Sequence, residues 1–158
     1  MRHQLPDVNV LFALVWPLHR YYPAAQSWFQ TSGYRGWATN PITQLGTLRL
    51  LTNPVVTQGA INAARALSLL NENTLHNAHE FWPLDRTPLA SLEPVISRIR
   101  GHRQWTDALL LCQAAERDGV LVTFDAGIKE LAPDEMKSRV LLLDSGENRV
   151  NGTTEPRS

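Results

Sequence analysis

Residues 120–125 read Val-Leu-Val-Thr-Phe-Asp, an apolar run that ends on an acidic side chain. A continuous apolar run of this length indicates a strand that is buried on both faces of a sheet. We predict a strand over 120–124, and before it a helix that Thr106 caps and Asp118-Gly119 ends. Strands of this kind belong to parallel sheets that helices cover on both faces. The chain is therefore expected to fold as an α/β protein.

The alternation of strand and helix recurs through the rest of the chain. Leu5 and Pro6 end a short strand, and apolar residues at helical spacing follow over 10–15. Residues 37–39 predict a second strand, and Asn40-Pro41 predicts the cap and first turn of a helix over 42–51. The other predicted elements are a helix from near Pro23 to Ser32-Gly33, a long helix that Thr57 caps and that buries Ala60, Ala63, Ala64, Leu67 and Leu70, a strand over 79–82, a helical segment over 92–99 and a strand over 140–143.

Composition limits the class of protein. The chain has 158 residues, of which 43% are hydrophobic, and this length fits one domain, predicted over 1–144, with a polar, disordered tail over 145–158. Fifteen Lys and Arg balance fifteen Asp and Glu, so only a local patch would attract a nucleic acid. The apolar runs are too short to span a bilayer, Asp7 interrupts the place of a secretory signal, and Cys112 is the only cysteine. We expect a soluble, cytoplasmic protein without a membrane partner.

Acidic side chains occur where the predicted strands end. Asp7 and Asp125 follow strands directly, and Asp107 lies in the first turn of the helix before the strand over 120–124. The carboxyl ends of parallel strands meet at one edge of a sheet, where ligands bind. Carboxylates gathered there repel one another unless they hold a cation, and oxygen ligands favour Mg²⁺ or Mn²⁺. The alternative is that each Asp has a local role as a helix cap or as a partner of a helix dipole.

Four segments resemble a known family when they are taken together. They are LPDVNVL over 5–11, WATNPITQ over 37–44 with LRLL over 48–51, GHRQWTDA over 101–108 and TFD over 123–125. In this order they resemble the PIN-domain ribonucleases, in particular the toxins of VapBC toxin–antitoxin pairs, and the resemblance extends over 5–143. It implies a three-layer α/β/α sandwich with a central parallel sheet. It also implies a magnesium-dependent endoribonuclease in which Mn²⁺ can substitute, an antitoxin that blocks the site, and a homodimer.

The resemblance assigns roles to particular residues. Asp7, Asp107 and Asp125 match the metal-binding and catalytic acidic positions of the family. The residues that it places in support of this site are Asn9, Thr43, Gln44 and Thr123. Gln44 departs from the pattern, because much of the family has Glu there, and an amide brings no negative charge and cannot act as a base. Asp85, in a loop, is a second source of that charge or else a solvated residue.

Gln44 leaves two functions open. The first is an active endoribonuclease toxin. The second is a catalytically weakened PIN-like module that binds RNA or a protein. An aspartyl-phosphate phosphatase would need an Asp at the position of Asn9, and a maturation nuclease would lack an antitoxin.

Basic and aromatic residues suggest where partners bind. Those predicted to contact RNA phosphates are Arg98, Arg100, His102 and Arg103, which precede Asp107 closely in the sequence. The alternative for them is a solvated basic turn. Trp16, Tyr21 and Tyr22 fit either a dimer interface or the core.

Overall fold

A parallel sheet with the strand order β3-β2-β1-β4-β5 forms the centre of the molecule in the computed structural model, which describes residues 1–146. The strands are β1 Gln4–Pro6, β2 Trp37–Thr39, β3 His79–Phe81, β4 Val120–Thr123 and β5 Val140–Leu142. The α-helices in this part of the chain are α1 Val8–Val15, α2 Tyr22–Thr31, α3 Pro41–Leu51, α4 Pro54–Thr57, α5 Ala63–Thr74, α6 Pro88–Ser91, α7 Trp105–Glu116 and α8 Gly127–Leu131. Short 3₁₀ turns occupy Gly33–Arg35, Glu93–Arg98, His102–Gln104 and Asp134–Arg139.

Helices cover both faces of the sheet. On one face α1, α2, α3 and α5 enclose a core to which β4 contributes Val122. On the other face α7 and α8 enclose a second core to which β4 contributes Leu121. Neighbouring residues of a strand point to opposite faces, so β4 serves both cores. The predicted three-layer α/β/α sandwich with a central parallel sheet is confirmed.

The strand order reverses between β1 and β4. From β1 the chain moves to β2 and β3 on one side, and it then returns past β1 to β4 and β5 on the other. Crossover connections between parallel strands share one handedness. When the chain moves across the sheet in opposite directions, the connecting helices therefore lie on opposite faces. Ligands of such sheets bind in the crevice outside the carboxyl ends of the strands at this reversal. The residues that follow β1 and β4 therefore line the expected site.

The contact between α1 and α3 is unusually close and needs a glycine. A Cβ atom added to Gly46 of α3 would lie 2.6 Å from Cγ2 of Val8 in α1. The absence of a side chain at Gly46 lets the two helices approach each other. This contact fixes the helix that follows Asp7 against the helix that carries Gln44.

Most predicted elements are confirmed to within a few residues, including α3 with its Asn40 cap and the strand at 79–81. The long helix predicted from Thr57 is wrong. Thr57 is buried at the end of α4, and Asn62 caps α5 instead. The break arises because Gln58 and Gly59 both adopt positive φ angles. Within the predicted stripe only Leu70 is buried, because Ala60, Ala63, Ala64 and Leu67 precede α5 or lie on its exposed side.

The predicted start of α7 differs in detail, whereas its predicted end is confirmed. Thr106 is not the cap, because α7 begins at Trp105 and Thr106 lies exposed in its first turn. At the other end the helix stops before Asp118-Gly119, and Asp118, with φ 52°, takes the left-handed conformation. Gly119 is needed for a different reason, since a Cβ there would lie 2.9 Å from the backbone oxygen of His3.

A disordered tail was predicted over 145–158. Residues 147–158 of this segment lie outside the part of the chain that the structure describes. Among the helices of residues 1–146, none has both the length and the apolar character that crossing a membrane requires.

Candidate active site

Asp7 joins β1 to α1 at the strand reversal. It is only 4% exposed, and its Oδ1 accepts a hydrogen bond of 2.8 Å from the backbone N–H of Val10. Asp7 is therefore the cap of α1, as the structural alternative predicted. Burial raises the pKa of Asp7 to about 6 although Thr123 donates a hydrogen bond to it, and the charge of Asp125 adds to the rise. A carboxylate placed in this way gains from a nearby cation.

Asp107 approaches the same place from α7. This helix precedes β4, so its first turn lies at the carboxyl edge of the sheet, and Asp107 is partly buried there. Burial raises the pKa of Asp107 to about 6, and the charges of Asp7 and Asp125 contribute to the rise. Asp107 therefore lies within electrostatic reach of Asp7 and Asp125 at this edge of the sheet.

Asp125 is the exposed member of the three. Its backbone N–H donates to Thr123 Oγ1 at 2.9 Å, and its Oδ1 accepts from the N–H of Gly127 at 2.8 Å. The side chain of Asp125 thus also stabilises the turn into α8. Thr123, which is buried, bonds to both Asp7 and Asp125, and this is the position that the sequence predicted for a supporting residue.

The donor set at this edge fits a hard divalent cation. It consists of carboxylate oxygens. Burial raises the pKa values of Asp7 and Asp107, the charge of Asp125 adds to both rises, and the charge of Asp7 adds to that of Asp107. A cation would relieve both effects. Within residues 1–146 no three His, Cys, Asp or Glu side chains are close enough together to form a finished ligand set. The three carboxylates therefore influence one another electrostatically, but their side chains are not close enough together to form a complete ligand set.

Gln44 is held by a hydrogen-bond relay that the sequence did not indicate. Its Nε2 donates to Thr39 Oγ1 at 2.9 Å, and Thr39 Oγ1 lies 2.8 Å from His79 Nε2. The imidazole also bonds to the backbone of Thr74, which assigns the ring proton to Nδ1 and makes Nε2 the acceptor. Thr39 therefore donates to His79 and accepts from Gln44. The remaining acceptor of the Gln44 amide is its Oε1.

Thr43 and Asn40 close the start of α3. The N–H of Thr43 donates to Asn40 Oδ1 at 2.8 Å, and the N–H of Asn40 donates to Thr43 Oγ1 at 3.0 Å. Thr43 is buried, so its contribution is to hold this helix end in place. Asn40 Nδ2 also donates to Gln113 Oε1 of α7 at 2.5 Å, which ties the helix of Gln44 to the helix of Asp107. Gln113 was missed because its distance in sequence from Asn40 gave no signal.

The remaining predicted residues lie around this centre. Asn9 is exposed in the first turn of α1 and borders the same cavity as Asp7. The four basic residues precede Asp107 along the surface. Arg98 donates to the backbone oxygen of Glu130 at 3.2 Å and Arg100 to that of Ser97 at 2.9 Å, whereas His102 and Arg103 are exposed. Their contact with RNA stays a prediction.

Asp85 does not supply the charge that Gln44 lacks. It forms an ion pair with Arg117, which directly follows α7, whereas Asp107 lies in the first turn of that helix. A helix rises by about 1.5 Å per residue, so the two ends of this 12-residue helix are about 18 Å apart. The suggestion that Asp85 replaces the missing carboxylate is therefore wrong, and Asp85 is a surface residue of its loop.

The chain is similar to known proteins over most of its length. The family model for the PIN domain matches residues 5–133. Ribonuclease VapC39 of Mycobacterium tuberculosis (strain H37Rv) is 41% identical over 128 residues, which cover 81% of this chain and 92% of that protein. Ribonuclease VapC38 of the same strain is 40% identical over 139 residues, which cover 88% of this chain and 96% of that protein. Ribonuclease VapC44 is 40% identical over 124 residues, which cover 78% and 87%.

Proposed function

Because this chain belongs to the PIN-domain family and is similar to its VapC ribonucleases over most of its length, we propose that it is a metal-dependent endoribonuclease. Its cofactor is Mg²⁺, for which Mn²⁺ substitutes, and it acts as the toxin of a toxin–antitoxin pair in the cytoplasm. The observation that carries this proposal is the pair Asp7 and Asp107. They come from distant parts of the chain to the strand reversal, where burial raises the pKa of both and the charge of Asp7 raises that of Asp107 further. This is an arrangement that a cation stabilises.

The three aspartates would hold the metal, and the surrounding residues hold the aspartates. A bound Mg²⁺ would supply two things, a lower pKa for a water molecule and positive charge that offsets the negative charge of the phosphate. Thr123 and the N–H of Val10 fix the carboxylate of Asp7 in one orientation. Gln44 Oε1 would offer a neutral oxygen at the position where, by the resemblance, much of the PIN-domain family has the carboxylate of a Glu. Asn9, exposed next to Asp7, offers an amide to the phosphate.

Cleavage by the purified chain tests this function. We expect Mg²⁺ or Mn²⁺ to support cleavage of single-stranded RNA, EDTA to abolish it, and Asp7→Asn or Asp107→Asn to lower the rate by at least a hundredfold. Asp85→Asn is the matched control, because Asp85 is an exposed aspartate at the far end of α7. Equal cleavage by Asp107→Asn and Asp85→Asn would contradict the assignment of the site.

The alternative is a PIN-like module that binds RNA or a protein without efficient cleavage. The observation in its favour is Gln44, which leaves one carboxylate fewer at the site. Gln44→Glu separates the two functions. If charge is limiting, the variant cleaves faster, and a tenfold rise corresponds to about 1.4 kcal/mol of barrier. Equal rates at saturating Mn²⁺ would mean that three carboxylates suffice.

The partners follow from the same site. We propose that an antitoxin directs an Arg or Lys at Asp7, Asp107 and Asp125, because a cationic side chain can replace a metal at a carboxylate cluster. A homodimer is part of this proposal. Of the aromatic residues considered for its interface, Trp16 stacks on Phe12 with ring centroids 5.2 Å apart and is partly buried in its own chain.

A further inference from the structure

A cavity of about 420 Å³ opens next to Asp7 and Asp125. Its other walls are formed by His19, Tyr21 and Phe124, with Arg20 at the rim. Pockets that bind small ligands have volumes of about 300–1,000 Å³ and combine apolar walls with a few polar groups. The cavity therefore joins an acidic end, where the proposed metal would bind, to an aromatic end that the proposed cleavage does not use.

The aromatic end presents ring surface close to the carboxylates. The ring centroids of Tyr21 and Phe124 are 5.0 Å apart, and both side chains are only partly buried. Phe124 lies between Thr123 and Asp125 in the chain, and consecutive Cα atoms are about 3.8 Å apart. Phe124 and Asp125 both line this cavity, so a planar group that stacks on Phe124 lies beside Asp125.

His19 adds a hydrogen-bond donor of defined position. The backbone N–H of Tyr21 donates to His19 Nδ1 at 2.9 Å, so the neutral ring carries its proton on Nε2. Burial lowers the pKa of His19, and the charge of Arg20 lowers it further, which favours the neutral ring. The ring meets Phe12 edge to face at 4.9 Å, and this contact restricts its rotation.

Arg20 places positive charge at the rim. Its guanidinium carbon lies 4.5 Å from the centroid of the Tyr21 ring, and its Nη2 donates to the hydroxyl of Tyr21. Arginine on an aromatic face is a common surface for the bases and phosphates of single-stranded nucleic acids. The charge changes from acidic at Asp7 to basic at Arg20 across one cavity.

We propose that this cavity binds a nucleobase of single-stranded RNA, namely the base of a nucleotide next to the phosphate at the carboxylates. The base stacks on Tyr21 and Phe124, His19 Nε2–H donates to an acceptor on its edge, and Arg20 faces a neighbouring phosphate. This inference rests on the proposed function, since it places the phosphate at the proposed metal site. The substrate is then single-stranded at this position, because a base that is stacked and paired in a duplex is not free to stack on the wall of this cavity.

Mononucleotides test base binding without cleavage. The parent chain, labelled with ¹³C in its Tyr and Phe rings, is titrated in Ca²⁺ buffer with each of the four 5′-nucleoside monophosphates and with ribose 5-phosphate, which lacks the base. We expect the nucleotides to shift the ring signals of Tyr21 and Phe124, and ribose 5-phosphate to leave them in place. This measurement uses the unaltered protein, so it does not depend on the folding of any variant.

Variants then locate the binding. Stacking on one aromatic side chain is typically worth a tenfold change in affinity or more, so Tyr21→Leu and Phe124→Leu should each weaken nucleotide binding about tenfold. Tyr21→Phe keeps the ring and should bind nearly as the parent does. Tyr34→Leu is the matched control, because Tyr34 is exposed and has Arg35 5.3 Å from its ring centroid, but lies outside this cavity. We expect Tyr34→Leu to bind nucleotides as the parent does.

Two results would overturn the inference. One is that ribose 5-phosphate shifts the ring signals as strongly as the nucleotides do, and the other is that the two leucine variants bind nucleotides like the parent. The proposed function is judged separately. If nucleotides bind through the rings but RNA is not cleaved, base binding stands and the nuclease proposal fails; if RNA is cleaved without nucleotide-dependent shifts, the nuclease stands and base binding fails.

Discussion

Gln44 Nε2 donates a hydrogen bond of 2.9 Å to Thr39 Oγ1. Thr39 is buried at the end of β2, and its hydroxyl donates in turn to His79 at the start of β3. The direction of the first bond follows because an amide nitrogen can only donate, and that of the second because the bond of His79 to the backbone of Thr74 leaves Nε2 as the acceptor. The relay orients the amide of Gln44, and with it the one oxygen that this position can offer to the proposed metal site.

Replacing the amide should reverse the relay. In Gln44→Glu the carboxylate accepts from Thr39, so Thr39 must accept from His79, and Nε2 then needs a proton while Nδ1 keeps its own for Thr74. The protonated imidazole meets both demands, and we expect the pKa of His79, which burial lowers in the parent, to rise. A ¹H–¹³C NMR titration of the imidazole measures it. Thr39→Val removes the relay, and in that background Gln44→Glu should leave the pKa of His79 nearly unchanged.

The buried carboxylate of Asp7 should make the metal-free protein less stable as the pH rises. Its folded-state pKa of about 6 exceeds the ordinary value of 3.8, so the folded state binds the proton more tightly, and stability falls as the pH rises from about 4 through 6. The shift corresponds to about 3 kcal/mol at neutral pH. Asp7→Asn keeps an oxygen for the N–H of Val10 and avoids this cost.

We therefore expect Asp7→Asn to raise the free energy of unfolding by urea at pH 7.5 in EDTA by about 1–3 kcal/mol. At pH 4 the two proteins should differ little, because Asp7 is then protonated. Asp134→Asn is the control of opposite sign, since Lys137 lowers the pKa of the exposed Asp134 and neutralising it should not stabilise the protein. A gain in Asp7→Asn that is equal at pH 4 and pH 7.5 would show that ionisation is not its cause.

Divalent cations should stabilise the folded chain through the same carboxylates. A ligand that binds only the folded state at a hundred times its dissociation constant adds about 2.7 kcal/mol to stability. We expect Mn²⁺ to raise the melting temperature of the parent and of Asp85→Asn, and to have little effect on Asp7→Asn or Asp107→Asn. A full response to Mn²⁺ in both of the latter variants would place the cation elsewhere.

The close contact of α1 and α3 predicts a compensating pair of substitutions. Gly46→Ala should lower the free energy of unfolding by about 1–3 kcal/mol, because its Cβ would meet the Cγ atoms of Val8 at 2.6 and 2.9 Å. Val8→Ala removes those atoms, so the double variant should recover much of the loss that Gly46→Ala causes. Urea unfolding of the two single variants and the double variant measures the coupling. Additive losses would mean that the two side chains do not compete for the same space.

An antitoxin that covers the site should compete with the metal. Co-expression with the product of the neighbouring gene should yield a complex that no longer takes up Mn²⁺ or cleaves RNA. Neutralising the cluster in Asp107→Asn should weaken the complex, because one partner of the cationic side chain is lost. A complex that retains Mn²⁺ uptake and cleavage would exclude occlusion of this site.

The sequence by itself determined the elements and their order, because the signals involved are local. The apolar run at 120–123 and the Asn40-Pro41 cap act over a few residues, and both are found where they were predicted. The resemblance to the PIN-domain ribonucleases also rested on short segments in order. Local signals failed at Thr57, where two residues with positive φ angles outweighed a good cap residue.

Tertiary structure alone decided which side chains meet. The pairing of β2 with β3 brings His79 to Thr39 and so sets the orientation of Gln44. The strand reversal at β1 and β4 brings Asp125 near Asp7 and places Phe124 in the wall of the cavity. Burial and the charge of neighbouring carboxylates, which no single segment contains, raise the pKa values of Asp7 and Asp107. Contacts between residues that are far apart in sequence depend on strand order and packing, and for that reason the relay and the cavity had no counterpart in the sequence pattern.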